Sequence, residues 1–272
     1  MQSNFYQHRV VVITGGSSGI GFALAKEFTK QNAHVTIISR DKNKLLSAQE
    51  ALAALTSQVS AVDIIRADVA LQDQIVNAIN AVGIKFGKID VLINGAGIAT
   101  YGRFKDQPFE SLEKCMQVNY MGSVYASKAA WAFLKKAQGQ LSFISSVAGY
   151  LGLIGYSSYS PTKFAMTGLA ESLRFEGADD DIRVSIIYPP DTDTPMLRNG
   201  NINNIPECIA LSKNIKVKTA EEVARIYIRG LQKNEFEIYC DLDSRMIRWL
   251  KNNFPSVFVY ATNRIIKKAR KF

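Results

Sequence analysis

Residues 10–21 read VVVITGGSSGIG, an apolar run that passes through Thr14 directly into a glycine-rich turn. The β-branched residues at its start predict a buried β-strand. The glycines that follow allow a tight turn, and backbone N–H groups at the amino end of the next helix can approach a phosphate. The stretch therefore predicts a strand, a phosphate-binding turn and a helix of a dinucleotide site, although a glycine-rich turn alone also fits a plain strand-to-helix connection.

Beyond this stretch, apolar runs alternate with segments of helical periodicity, as they do in β-α-β units. The predicted strands span residues 10–14, 34–39, 62–67, 90–94, 141–145, 183–188 and 236–240. The predicted helices include residues 19–31, 111–136, 159–176 and 220–233. This order predicts one doubly wound, Rossmann-like α/β domain over residues 1–243, with a seven-stranded parallel sheet and helices on both faces. Residues 244–272 are predicted to form a separate, basic amphipathic segment.

The composition favours a folded protein of the cytoplasm. The chain has 272 residues, of which 47% are hydrophobic and 21% charged, enough for a sizeable core. Its cysteines, Cys115, Cys208 and Cys240, are widely spaced, which favours a reduced compartment over a disulfide framework. The first residues are too polar for a signal peptide, and no apolar run reaches the roughly 20 residues that a membrane-spanning helix requires. We expect a cytoplasmic protein, either in solution or peripheral on a membrane surface.

The formal charge of +9 is concentrated near the end of the sequence. Eight of the 33 Lys and Arg residues lie in residues 244–272, which contain no Asp or Glu, so 25 basic and 24 acidic residues precede them. A fold that binds nucleic acid in general spreads its basic residues over the domain. The nearly neutral main body therefore argues against nucleic acid as a partner.

The basic segment itself has helical periodicity. Its apolar residues recur at spacings of three or four, and basic residues occupy the other faces; the apolar set is Phe258, Ala261, Ile265, Ala269 and Phe272, and the basic set is Arg264, Lys267, Lys268 and Lys271. This pattern predicts an interfacial helix that contacts anionic lipid. A terminal helix that docks on its own domain or on a partner subunit fits the same pattern.

The end of the second predicted strand bears on the choice of cofactor. The sequence there is IISRD, with Ser39 at the position where a site that prefers NAD usually has an acid, and with Arg40 directly after it. A guanidinium at this place can pair with the 2′-phosphate of NADP. The residue therefore favours NADPH, while an exposed arginine at the start of a helix is the alternative and the neighbouring Asp41 counts against the pairing.

Four further motifs occur in a fixed order: NGAG at 94–97, VNYMGS at 118–123, ISSVAG at 144–149 and YSPTK at 159–163. Taken together, they resemble the short-chain dehydrogenase/reductase family, and the resemblance covers residues 8–241. The family pattern selects Ser146 rather than Ser145 as the catalytic serine, and it selects Lys163 as the lysine that accompanies Tyr159.

The spacing of Tyr159 and Lys163 has a physical reason of its own. Residues four apart on a helix project from the same face, so both side chains can converge on one site. An ammonium beside a phenol favours the phenolate, so Lys163 is expected to lower the pKa of Tyr159 below its usual value of about 10 and make it a usable acid. Taken alone, a Tyr and a Lys four apart also fit two surface neighbours.

The resemblance implies a role for each residue of the site. Tyr159 protonates a developing alkoxide while NADPH delivers hydride, Ser146 donates a hydrogen bond to the same oxygen, and Lys163 also holds the nicotinamide ribose. Asn119 binds a water that passes protons from solvent. The implied cofactor residues are Gly15, Ser17, Ser18, Gly19, Ile20, Gly21, Arg40, Asp68, Val69, Asn94, Ala96, Gly97, Tyr159, Lys163, Pro189, Thr192 and Thr194. No metal is predicted, because the histidines and cysteines are scattered without metal-ligand spacing.

The segment between Ser146 and Tyr159, VAGYLGLIGYSS, is markedly apolar and suits an acyl chain or a sterol better than a sugar, although it also fits plain loop packing. The expected substrate-binding residues are Ser146, Ala148, Leu153, Tyr156, Tyr159 and Met196, and residues 196–216 are expected to close over substrate as a lid. Within the family, residues 145–176 and the run YPPDTDTPM at 188–196 most resemble 3-ketodihydrosphingosine reductases, which implies NADPH-dependent reduction of that ketone.

Two other functions stay open at this level. One is reduction of another hydrophobic ketone, such as a steroid or a 3-oxoacyl derivative, and the other is a non-catalytic NADPH-binding scaffold. The resemblance also implies a homo-oligomer, a dimer or a tetramer. The sequence departs from eukaryotic 3-ketodihydrosphingosine reductases in having no N-terminal membrane span, which puts membrane embedding by that route in doubt.

Overall fold

The computed structural model describes residues 4–56, 62–201, 205–212 and 215–270, without the side chains of residues 201 and 212. Its centre is a seven-stranded parallel sheet in the order β3-β2-β1-β4-β5-β6-β9. These strands are β1 (Val10–Thr14), β2 (His34–Ser39), β3 (Val62–Arg66), β4 (Val91–Asn94), β5 (Gln140–Ile144), β6 (Arg183–Tyr188) and β9 (Glu237–Tyr239). A separate pair, β7 (Thr192–Asp193) and β8 (Lys218–Thr219), lies outside this sheet. The predicted sheet is confirmed, and its strand ends differ from the predicted ones by a residue.

Helices cover both faces of the sheet. They are α1 (Gly19–Thr29), α2 (Lys42–Ala53), α3 (Gln72–Phe86), α4 (Phe109–Cys115), α5 (Gly122–Ala137), α6 (Ser160–Ala178), α7 (Pro195–Asn201), α8 (Pro206–Ser212), α9 (Ala220–Gln232), α10 (Leu242–Asn253) and α11 (Pro255–Ala269). One hydrophobic core unites α1 and α9 with the sheet, and a second unites α3, α5 and α6 with its other face. Because every central strand is covered on both faces, the strands are almost continuously apolar.

The strand order reverses at β1, which pairs with β2 on one side and β4 on the other. In doubly wound sheets the ligand crevice lies outside the carboxyl ends of the strands at such a point. Thr14 ends β1 there, and it is paired with Ile38 and Asn94 of its neighbours. The glycine-rich turn and the NGAG motif therefore meet at one edge of the sheet.

The helix predicted over residues 111–136 is interrupted. A π-helical turn, Met116–Met121, separates α4 from α5. It contains Asn119, whose side chain is bonded to another segment of the chain, and such turns occur frequently at functional sites.

The region of the predicted lid, 196–216, contains α7 and α8, while residues 202–204 and 213–214 lie outside the described part of the chain. Helix α11 packs against α8. The half-buried residues of α11 are Phe258, Thr262, Ile266 and Ala269, whereas Ala261 and Ile265 of the predicted apolar stripe are exposed. The predicted stripe is therefore divided, with Phe258 and Ala269 on the covered face of the helix and Ala261 and Ile265 on its exposed face. Lys271 and Phe272 lie outside the described residues.

Helix α10 is fastened to the domain by several contacts. Arg248 forms an ion pair with Glu237, and its guanidinium donates to the Tyr239 hydroxyl at 2.8 Å. The Tyr150 hydroxyl donates to the backbone carbonyl of Ser244 at 2.8 Å, and the Lys251 ammonium donates to the carbonyl of Tyr150. The predicted division between residues 243 and 244 falls inside the first turn of this helix.

Within the residues that the structure describes, no helix is long and apolar enough to cross a membrane. In the same ranges, no three His, Cys, Asp or Glu residues are grouped so that they could hold a metal ion.

Candidate active site

Tyr159 and Lys163 lie at the start of α6, with Tyr159 directly before its first residue. Both side chains are buried, with exposed fractions of 8% and 4%. Tyr159 belongs to a row of three tyrosines: the Tyr156 ring centroid is 6.1 Å from its own, and the Tyr101 centroid is 4.8 Å from that of Tyr156 in an edge-to-face arrangement. The sequence thus places its predicted acid inside an aromatic cluster.

The pKa of Tyr159 is raised above its ordinary value, chiefly because burial disfavours the charged phenolate. The negative charges of neighbouring groups add to this rise, while the interaction with the Ser146 hydroxyl opposes it. The expected lowering by Lys163 was therefore wrong, because burial dominates and the ammonium is bonded to the Ile144 carbonyl. The phenol is held in the protonated form that a general acid requires.

The ammonium of Lys163 is engaged elsewhere. It donates to the backbone carbonyl of Ile144 at 2.7 Å and lies 5.5 Å from the centroid of the Tyr159 ring. Burial lowers the pKa of Lys163 to about 8. The two side chains do share one site, as their spacing predicts.

Ser146 and Ser145 face different surroundings at the end of β5. The Ser146 oxygen accepts from the Ala148 N–H at 3.1 Å and begins a short 3-10 turn, Val147–Gly149, while its hydroxyl also reaches Tyr159. The Ser145 hydroxyl is directed at the backbone carbonyl of Lys163, at 3.3 Å. The geometry supports the choice of Ser146, since its oxygen is beside the phenol.

Asn119 is completely buried and its side-chain amide is bonded on both sides. Its oxygen accepts from the Ile98 N–H at 2.8 Å, and its nitrogen donates to the Ile98 carbonyl and to Thr162, each at 2.9 Å. A Cβ built on Gly97 would lie 3.3 Å from the Asn119 oxygen and 3.8 Å from the Lys163 nitrogen. Asn119 therefore joins the strand β4 loop to α6 beside Lys163.

The backbone of the glycine-rich turn packs so closely against neighbouring backbone that side chains have no room at Gly15 and Gly21. Gly15 has φ +72°, and a Cβ there would come within 2.8 Å of Ala96; a Cβ on Gly21 would come within 2.4 Å of the Gly15 oxygen. Ser18 precedes α1 in an extended conformation, and no side chain caps that helix. The first-turn N–H groups are therefore available to a phosphate, so the predicted residues Gly15, Ser17, Ser18, Gly19, Ile20 and Gly21 fit a dinucleotide.

The NGAG segment is fixed against this turn. The Thr14 hydroxyl oxygen accepts from the N–H groups of Gly95 at 3.1 Å and Ala96 at 3.2 Å. The Asn94 amide donates to Ser127 at 3.0 Å, while its buried oxygen has no partner among the described residues. The predicted cofactor residues Asn94, Ala96 and Gly97 thus stand beside the glycine-rich turn.

Arg40 is exposed at the carboxyl end of β2. The side chain of Arg66, the last residue of β3, donates to the Arg40 carbonyl at 3.2 Å, so two guanidinium groups lie at this edge. The Asp41 carboxylate accepts from the Lys44 N–H at 3.1 Å as the cap of α2, which occupies it away from Arg40. Sequence reasoning missed Arg66, although its position at the end of the third strand could have indicated it.

Asp68 and Val69, the other predicted cofactor residues on this side, follow β3 directly. The Asp68 carboxylate accepts from the Ala70 N–H at 3.0 Å and so shapes its own turn. Val69 is buried, and a Cβ added to Gly122 would lie 2.9 Å from it. The turn is thereby held against the start of α5.

The loop after β6 closes the site from the other side. The Pro189 carbonyl accepts from the Val147 N–H at 3.1 Å, which fastens this loop next to Ser146. The Thr192 hydroxyl donates to the Pro190 carbonyl at 2.8 Å, and Thr194 lies 3.2 Å from a Cβ built on Gly19. The predicted residues Pro189, Thr192 and Thr194 are therefore brought to the glycine-rich turn and the catalytic serine together.

The expected substrate residues come from the segment after β5 and from α7. Ala148 is buried, Leu153, Tyr156 and Met196 are half-buried, and Met196 belongs to α7. A Cβ on Gly200 of α7 would lie 2.4 Å from the Tyr101 ring, so α7 rests on that tyrosine. Tyr101 was missed by sequence reasoning, although it closely follows NGAG at the ligand edge of the sheet.

Helix α8 is the second helix in the region of the predicted lid. A Cβ on Gly155 would come within 2.8 Å of Ile205, which precedes α8, and the Cys208 thiol donates to the carbonyl of Ile154. Glu207 is 2% exposed and pairs with Arg103 at 2.6 Å and with Arg270 at 2.9 Å. These two guanidinium groups, Arg103 first, lower the pKa of Glu207 to about 2.

Comparison with known proteins identifies a family model and similar sequences. The model described as short chain dehydrogenase matches residues 9–204. A 3-dehydrosphinganine reductase of Danio rerio is 40% identical over 231 residues, which are 83% of this chain and 69% of that protein. A 3-ketodihydrosphingosine reductase of Bos taurus is 39% identical over 241 residues, which are 87% of this chain and 72% of that protein.

Solved structures share the architecture. A short chain dehydrogenase/reductase of Burkholderia phymatum in complex with NAD superposes with a TM-score of 0.82 at 19% identity, over 93% of this chain and 95% of that chain. At this identity the likeness shows the fold.

Proposed function

Since the chain belongs to the short-chain dehydrogenase family, we propose that it reduces the ketone of 3-ketodihydrosphingosine to dihydrosphingosine with NADPH. The protein is an oxidoreductase that acts on a C=O/CH–OH pair and uses a nicotinamide cofactor. The main support for its mechanism is that the Ser146 hydroxyl and the Tyr159 phenol interact, with Lys163 next to the Tyr159 ring. These side chains lie at the same edge of the sheet as a turn that fits a dinucleotide phosphate. The similarity to 3-dehydrosphinganine reductases supports the substrate.

The residues of the site divide the reaction between them. A bound reduced nicotinamide supplies a hydride to the carbonyl carbon. Tyr159 gives its phenolic proton to the carbonyl oxygen, so that the ketone gains one hydride and one proton and becomes a secondary alcohol. The Ser146 hydroxyl donates a hydrogen bond to the same oxygen as its negative charge develops. Lys163 favours the tyrosinate that is left, and Asn119 fixes the strand β4 loop next to Lys163.

NADPH is the proposed cofactor because of the charges at the end of β2. Arg40 and Arg66 present two guanidinium groups there, and Asp41 is occupied as a helix cap. Guanidinium groups pair favourably with a phosphate, whereas an NAD site usually has a carboxylate at this place.

A membrane surface and a second copy of the chain are proposed as partners. The exposed face of α11 carries Tyr260 and Ile265 together with Arg264, Lys267 and Lys268, which suits anionic lipid. On α6, Phe175 is 74% exposed, and such a residue is readily covered by a subunit contact. The proposed oligomer, a dimer or a tetramer, can be measured by light scattering.

A substrate panel tests the proposed reaction. Purified protein is incubated with 3-ketodihydrosphingosine, a steroid ketone or a 3-oxoacyl derivative, each with NADPH and with NADH. We expect the highest kcat/KM for 3-ketodihydrosphingosine with NADPH, with dihydrosphingosine as the product. Turnover confined to another ketone would refute the substrate, and equal or faster turnover with NADH would refute the cofactor preference.

A further inference from the structure

The loop between β6 and α7 contains two aspartates in opposite situations. Asp193 has an exposed side chain and forms a bidentate ion pair with Arg198, in which Nε and Nη2 of the guanidinium donate to the two carboxylate oxygens at 2.8 Å and 3.1 Å. Asp191 is half-buried, and among the described residues its carboxylate has neither a hydrogen bond nor an ion pair. Burial raises the pKa of Asp191, whereas the Arg198 guanidinium lowers that of Asp193.

The fold uses the backbone of Asp191 but not its side chain. Its carbonyl accepts from the Lys218 N–H at 3.0 Å, a bond that any residue could supply. Taking a carboxylate partly out of water without a partner costs free energy. An acid kept at such a place is therefore a candidate for contact with a ligand.

Asp191 lies on a loop that is fastened next to Ser146, on the side of the site that holds the tyrosine cluster. Its negative charge raises the pKa values of Tyr101, Tyr156 and Tyr159, so it lies near all three rings. Two residues earlier, the Pro189 carbonyl is bonded to the N–H of Val147, next to Ser146. Asp191 is thus close to the place where the ketone oxygen meets Ser146 and Tyr159.

The loop holds Asp191 firmly. Pro189 and Pro190 restrict the backbone before it, because each proline ring fixes φ near about −65°. The residue after it, Thr192, belongs to β7, which pairs with β8. A carboxylate fixed in this way needs little ordering when a ligand binds, so more of the interaction appears as affinity.

We propose that Asp191 binds the ammonium group that the substrate carries on the carbon next to its ketone, and that it thereby selects 2-amino ketones over neutral ketones. The inference rests on the proposed function, since 3-ketodihydrosphingosine is such an amino ketone. A charge-assisted N–H···O bond to Asp191 fixes the nitrogen, while Ser146 and Tyr159 fix the oxygen one carbon away. These two contacts together orient the face of the ketone that receives hydride.

The experiment compares two ketones of the same chain length, 3-ketodihydrosphingosine and 1-hydroxyoctadecan-3-one, which lacks the amino group. We expect Asp191→Asn to lower kcat/KM for the amino ketone by about 10- to 100-fold, the effect of one hydrogen bond to a charged group. The value for the neutral ketone should change by less than about threefold. Asp193→Asn removes the same charge from the same loop and should leave both values unchanged.

Folding is checked by thermal melting and by NADPH binding. Because Asp191 has no side-chain partner to lose, Asp191→Asn should melt at the same temperature as the wild type or higher. Asp191→Glu keeps the charge and should keep the preference for the amino ketone.

The outcomes separate the two claims. If Asp191→Asn impairs both ketones equally, or neither, while the wild type reduces the amino ketone, only the assignment of Asp191 is overturned. If the wild type reduces the neutral ketone but not the amino ketone, the proposed function and the assignment both fall.

Discussion

The phenol of Tyr159 shares its surroundings with Tyr101 and Tyr156, and burial raises the pKa of all three. Each phenol therefore keeps its proton at neutral pH, and the reaction begins with a neutral acid. Lys163, whose pKa burial lowers to about 8, stands ready to favour the tyrosinate once the proton has left.

Replacing Tyr159 by Phe tests the role of the acid. Tyr159→Phe removes the hydroxyl and keeps the ring packing, so we expect kcat to fall by about a hundredfold or more, as for loss of a general acid. Cofactor affinity, measured by fluorescence, should stay within a few-fold. The matched control is Tyr156→Phe, which removes a neighbouring hydroxyl of the same cluster; since Tyr156 is an expected substrate contact, its KM can change, but its kcat should stay within a few-fold. Unchanged turnover in Tyr159→Phe would show that another group supplies the proton.

The spacing of Tyr159 and Lys163 in the sequence predicts that their side chains meet, because residues four apart lie on the same face of a helix. It could not predict the sign of the pKa change of Tyr159, since that depends on how deeply the phenol is buried under residues from other segments. Tyr101 is 58 residues away and Asp191 is 32 residues away from Tyr159, and no local pattern links them.

At the level of elements, the lid and the last helix form one unit. Helix α8 rests on the Gly155 segment, and α11 packs on α8 from outside. Glu207 joins three segments, because it pairs with Arg103 of the loop after β4 and with Arg270 after α11. The basic segment therefore contacts the region of the predicted lid through α8.

Arg270→Gln tests this contact. The variant removes one of the two partners of a buried carboxylate, so the lid should be held less tightly. We expect KM for the lipid ketone to rise by about 3- to 10-fold, with kcat within about twofold, which is less than a whole hydrogen bond to a charged group because Glu207 keeps its pair with Arg103. Lys267→Gln, an exposed change of the same charge, is the control. An equal rise in KM with Lys267→Gln would show that net charge, and not the pair with Glu207, is responsible.

The strands were predictable because each is a run of apolar, mostly β-branched residues covered on both faces. The π-turn at Met116–Met121 was not, since the helical pattern of 111–136 continues through it. The face of α11 that packs on the domain could not be predicted for a related reason. Apolar residues such as Ile265 and Ile266 lie on adjacent faces, and the surface that decides between them, α8, is distant in sequence.

In the whole molecule, the basic residues of 244–270 fall into two groups, one bonded to the domain and one exposed. Arg248, Lys251 and Arg270 are bound to the domain, whereas Arg245, Arg264, Lys267 and Lys268 are exposed. Exposed apolar side chains accompany them, including Leu242, Met246 and Trp249 along one side of α10. The surface around the lid is thus both basic and apolar, which suits a lipid headgroup region.

Flotation with anionic vesicles tests this surface. Each basic residue beside anionic lipid contributes about 1 kcal/mol, so replacing Arg264, Lys267 and Lys268 together by Gln should weaken binding by on the order of 100-fold. The control replaces Lys114, Lys128 and Lys136, which are exposed on α4 and α5. Removal of residues from 244 onward is less suitable, because it also cuts α10 from Tyr150 and Glu237. Equal vesicle binding by the two triple variants would exclude a specific α11 surface.

The pairing of Glu207 also has a kinetic consequence. Its partners, Arg103 and Arg270, are 104 and 63 residues away in sequence. Contacts of such separation carry a large loop-closure entropy and form after local structure. We therefore expect the lid to assemble late in folding and to open by local unfolding while the sheet stays intact. Entry of a substrate and the onset of unfolding would then share their first step.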